Sequence, residues 1–93
     1  MVIGILKLEI RLPFANSLKD KRRLIKSLIA HLRNDFNVSV SEIGYQDYWR
    51  KSLIGIGIVT NETKFAHRIL FKITEYIKNN KELSVIDSKM EIM

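Results

Sequence analysis

The chain has 93 residues, 46% of them hydrophobic, no cysteine and a formal net charge of +6. That length holds one domain, residues 1–93, and excludes two. The composition excludes a disordered tail, and the lack of cysteine excludes disulfides and thiolate metal sites. The basic excess fits an anionic partner or solubility alone.

Between Val2 and Leu12 the even positions Leu6, Leu8, Ile10 and Leu12 are apolar, while the odd ones change from Ile3 and Ile5 to Lys7, Glu9 and Arg11. Period two predicts a strand with one buried face. Pro13 ends it, having no donor for the ladder. Lys7, Glu9 and Arg11 also interrupt any apolar run long enough for a signal peptide or a spanning helix, so a cytoplasmic protein with no membrane partner is expected.

The next stretch, Ser17–Leu28, reads SLKDKRRLIKSL. Ser17 is a good N-cap, and Asp20 three residues later makes a capping-box variant. At 100° per residue Leu18, Leu24, Ile25, Leu28, Ile29, Leu32 and Phe36 share one arc, which predicts an amphipathic helix over 18–34. Lys19, Arg22, Arg23, Lys26 and Arg33 gather on one flank beside that arc. Lys21 falls inside the arc and is expected to snorkel. Cations at a helix N-terminus oppose the macrodipole, and neither starting nor docking the helix requires them.

Val38, Val40 and Ile43, spaced by Ser39 and Ser41, predict a second strand ending near Gly44. YQDYWRK (Tyr45–Lys51) follows, then SLIGIGIV (Ser52–Val59), a continuous β-branched run suited to the middle of a sheet. Gly55 and Gly57 share one face, where something should approach the backbone closely. Thr60 and Asn61 are the expected caps of a second helix, whose apolar arc is Phe65, Ala66, Ile69, Leu70, Ile73, Tyr76 and Ile77. Phe71 lies almost opposite. Ser84–Met93 alternates again and predicts a last strand.

The order β-α-β-β-α-β with right-handed crossovers predicts an α+β, ferredoxin-like sandwich. Its four-stranded antiparallel sheet should carry both helices on one face and have strands 1 and 3 at the centre. The blocks MVIGILKLEIRLP, SLKDKRRLIKSL, FNVSVSEIG, D-Y-W and IGIGIVTN, in this order, resemble the YlxP-like family of small bacterial proteins. The resemblance covers nearly the whole chain and is weakest after Asn61. It implies the same fold, a domain of unknown function, and genes that often neighbour those of translation-initiation and ribosome-maturation factors. It carries over no catalytic residue.

Two readings of function stand open. In the first the protein is a small RNA- or ribosome-associated binding module. Lys19, Arg22, Arg23, Lys26 and Arg33 would contact phosphates, extended by Arg50 and Lys51 from the loop. Tyr45, Tyr48 and Trp49 would then stack on unpaired bases or fill an interface. In the second the chain is a self-associating, protein-interaction domain that dimerises through its sheet, with the loop aromatics and Phe71 as contact residues. The open sheet face offers no aromatic on the two central strands, which disfavours base stacking there.

Catalysis is not expected. His31 and His67 lie on different helices without a nucleophile or carboxylate pattern around them. No His/Asp/Glu cluster has metal spacing, and Gly55-Ile56-Gly57 lies inside a strand, so it is not a phosphate-cradling loop. No cofactor, metal or small-molecule substrate is implied.

Overall fold

Six elements follow one another in the computed structural model, which describes Met1–Met93. They are β1 (Val2–Arg11), α1 (Leu18–Asp35), β2 (Ser39–Gly44), β3 (Lys51–Thr60), α2 (Thr63–Lys78) and β4 (Ser84–Ile92). The strands form one antiparallel sheet in the order β2-β3-β1-β4. Both helices cover one face, and the two longest, most apolar strands take the centre. The fold is the expected ferredoxin-like α+β sandwich.

The period-two pattern of β1 sends Leu6, Leu8 and Ile10 into the core, and β3 sends Ile54, Ile56 and Ile58. From the helices come Ile25, Leu28 and Leu32 of α1 and Ala66, Leu70, Ile73 and Ile77 of α2. On the outer edge of the α2 arc Phe65 and Tyr76 stay exposed, and Tyr76 meets Phe36 edge-on at 6.4 Å.

Ser17 caps α1, its Oγ accepting from the Asp20 backbone N–H at 3.0 Å. The Asp20 carboxylate reaches back one residue further than a capping box requires, accepting from Asn16 N–H at 3.2 Å. α2 differs from expectation. Thr60 is the last residue of β3, paired with Val2, so the N-cap position falls to Glu62, which makes no side-chain cap bond. The Thr60 hydroxyl accepts instead from the Glu62 backbone N–H at 3.4 Å, short of the first turn of α2.

The two strand glycines also divide. A Cβ on Gly55 would lie 3.1 Å from Ile43, whose side chain crosses it from β2, whereas Gly57 has no side chain over it. Ile43 reaches Gly55 because it is the extra residue of a β-bulge opposite Leu53 and Ile54. A second bulge, at Ile86, shifts the register of β4 on β1.

Candidate functional site

Lys21 organises the cationic end of the molecule, and it does not snorkel. Its side chain is 0% exposed. The ammonium donates to the carbonyls of Tyr45 at 2.7 Å and Gln46 at 3.2 Å and pairs with the Glu42 carboxylate at 2.8 Å. Three N–H donors thus meet three acceptors, which is what a buried ammonium requires. Glu42 also accepts from the hydroxyl of the buried Ser52.

The stem of Lys21 cannot reach water because the β2–β3 loop closes over it. Tyr45, with φ 59°, sits in the left-handed region where that loop begins. The pair had a sequence signature: an acid on the core-facing side of β2 and a lysine inside the apolar arc of α1. Each violates its pattern, and each supplies what the other lacks.

The clamp lays the aromatic loop against α1. Arg22 approaches Asp47 at 3.9 Å, both residues well exposed. Arg50 Nε donates to the Ala15 carbonyl at 3.1 Å, and its own carbonyl accepts from Leu12 N–H. Tyr45 and Tyr48 meet edge-on at 5.3 Å, with the Lys51 ammonium over both rings at 4.8 and 5.1 Å. Trp49 is 53% exposed and takes part in no ring contact.

Lys19, Arg22, Arg23 and Lys26 all point outward from α1. Successive turns bring a cation about every 5 Å along the helix axis. Ala30 interrupts the row, and Arg33 beyond it donates to the Val40 carbonyl of β2 at 2.8 Å, which ties the helix to the sheet edge. The structure therefore sets Arg22 beside Asp47 of the loop and Arg50 against the Ala15 carbonyl just ahead of α1, gathers Tyr45 and Tyr48 with Lys51, and leaves Lys19, Arg23 and Lys26 pointing to solvent and Arg33 apart. Phe71, 54% exposed on α2, belongs to neither group.

One residue joins the basic cluster unanticipated. Arg11 pairs with Lys51 across β1 and β3, and with Arg50 and Pro13 these line a recess of about 290 Å³. Only the strand register puts Arg11 there. The largest recess, about 360 Å³ at the far end of the sheet, is lined by Ile3, Gly57, Val59 and the Asn37–Ser39 segment. It carries no ionisable side chain and so no acid–base chemistry. His31 faces Ser27 on the solvent side of α1, and His67 is exposed on α2.

Two solved structures of designed proteins are similar in fold. The de novo designed protein Foldit4 superposes with a TM-score of 0.54 at 17% identity, covering 98% of this chain and 96% of that one. The de novo designed protein LFR1 1 with ferredoxin fold gives 0.54 at 12% identity, covering 100% and 84%. In sequence, the family described as protein of unknown function (DUF503) matches residues 3–90. The uncharacterized protein YlxP of Bacillus subtilis (strain 168) is 35% identical over 82 residues, 88% of this chain and 89% of that protein.

Proposed function

We propose a function for this chain, which belongs to the DUF503 family of proteins of unknown function: it is a cytoplasmic RNA-binding module. It docks RNA on the outward face of α1 and the adjoining β2–β3 loop. One observation carries the reading. The Lys21 clamp holds the aromatic loop against α1, whose solvent side carries Lys19, Arg23 and Lys26 without an acidic partner and Arg22 with only Asp47 near it. Nearby acids do little to neutralise it, since Asp20 is occupied at the helix cap and Asp47 stands 3.9 Å from Arg22 alone.

Lys19, Arg22, Arg23 and Lys26 follow the sugar–phosphate chain, releasing counterions as they bind. The exposed Trp49 stacks on an unpaired base, and Arg50 receives a phosphate next to it. Nothing on the surface reads base edges in a fixed pattern. Affinity should therefore depend strongly on salt and weakly on sequence.

The test is titration of a fluorescent ribosomal RNA hairpin with a single-stranded loop. Neutralising Arg22→Gln, Arg23→Gln and Lys26→Gln together should abolish measurable binding at moderate salt. At low salt the slope of log K against log salt should fall by about two, from roughly 0.7 per lost phosphate contact. A triple variant that binds as tightly as the parent would falsify the proposal. Trp49→Ala should weaken binding about tenfold, within the range for one stacked base, while leaving the salt slope unchanged. An unchanged affinity in that variant removes the stacking role and leaves the phosphate row.

A further inference from the structure

The sheet face turned away from the helices carries charges that form no ion pair within the chain. Lys7 of β1 stands directly opposite Lys89 of β4, and one step along, Glu9 stands opposite Asp87. Like charges placed directly across two strands repel. None of the four forms an ion pair, the two pairs in the chain being Lys21–Glu42 and Arg22–Asp47. Together with Leu53 and Tyr45 they surround a shallow depression of about 170 Å³. Beside them the face turns aliphatic, with Ile5 half-buried, Val59 66% exposed, and Ile43 lying over Gly55.

We infer that this face is the contact surface of a two-fold symmetric dimer of the chain. A two-fold axis between the stacked sheets, perpendicular to the strands and passing between these two rows, reverses strand direction and lays β1 on β1 and β4 on β4. Lys7 and Lys89 of one copy then meet Glu9 and Asp87 of the other, and the symmetry repeats the match. By the register of β3 on β1, Lys7 is level with Gly55 and Glu9 with Leu53. The same axis therefore brings Leu53 of each copy over Gly55 and its covering Ile43 in the other, apolar against apolar.

Self-complementarity of this kind is what an isologous interface requires. Strands of ten, ten, nine and six residues, spaced about 4.8 Å apart and rising about 3.4 Å per residue, give a flat footprint of roughly 570 Å², above the roughly 500 Å² per partner a specific interface needs and below the roughly 800 Å² of a standard one. Other placements of the axis lose the match. Moved by half the row spacing, onto either row, it would set the two lysine rows, or the two acidic rows, against each other.

The dimer turns both α1 faces outward and does not depend on RNA binding. It is tested by light scattering on the full chain. The parent should have twice the chain mass at high micromolar concentration. The variants Lys7→Glu/Lys89→Glu and Glu9→Lys/Asp87→Lys should each be folded monomers, because each makes both rows alike in sign. Mixed in equal amounts they should recover the dimer mass, since every row then meets its opposite.

A monomeric parent overturns the inference irrespective of how the variants fold. Variants that remain dimers, or a mixture that stays monomeric while both partners show the parent's circular dichroism, overturn it as well. Contact through the exposed edges of β2 or β4 would give variants that remain dimers.

Discussion

Lys21→Met is expected to lower the unfolding free energy by about 3 kcal/mol, the lower end of the cost of breaking a buried ion pair. The side chain is fully buried and makes three polar contacts, to Glu42 and to the carbonyls of Tyr45 and Gln46. Methionine keeps the apolar stem but lacks the terminal nitrogen, leaving all three acceptors without their donor. Glu42 retains the Ser52 hydroxyl and is 17% exposed, so water recovers part of the loss. In a chain of this size each kcal/mol moves the melting temperature by about 4–8 °C.

The double variant Lys21→Met/Glu42→Leu should regain much of the deficit, because it removes both charges together. Hydrogen exchange should show the Tyr45–Arg50 loop loosened in the single variant, with the centre of β1 still protected. RNA affinity should fall with it, although no surface cation has changed. A single variant that melts within a few degrees of the parent would show that the clamp contributes little.

The second large effect is expected at Gly4. On β1 it faces the close approach of α2: an added Cβ would lie 2.9 Å from Ile58 Cγ2, 3.0 Å from Leu70 Cδ1 and 3.4 Å from the Ala66 methyl. Gly4 and Ala66 together let the helix settle on the sheet. Gly4→Val places two further carbons in that contact and should cost about 2–3 kcal/mol by overpacking. The denaturant midpoint should drop with an unchanged slope, since the surface exposed on unfolding is the same. Gly57→Val makes the control. Its position has no side chain over it, and β propensity favours valine there, so it should be neutral or mildly stabilising. Equal losses at both positions would contradict the close-approach argument.

These residues mark how far the chain could be read before folding was considered. The alternation of β1, the apolar run of β3 and the two helical arcs each depend on neighbours within a few positions, so the elements and their order were legible. With the order in hand, chain connectivity restricts the sheet to very few arrangements, and β2-β3-β1-β4 is the one observed. The outward cations of α1 were legible for the same reason, being set by helical period alone. Capping of α2 was not. Thr60 has the chemistry of a cap, but its place at the end of β3, opposite Val2, leaves it short of the first turn of α2.

The elements, the fold they assemble and the presence of a basic face were therefore already legible along the chain. Those follow from periodicity, which is a local property of the chain. Packing in three dimensions makes Lys21 a buried clamp, holds the β2–β3 loop against α1, joins Arg11 to Lys51 and aligns like charges across β1 and β4. Each depends on a register or a contact between residues far apart in the chain. Such pairings are chosen by the packing of the whole core, so no local pattern records them.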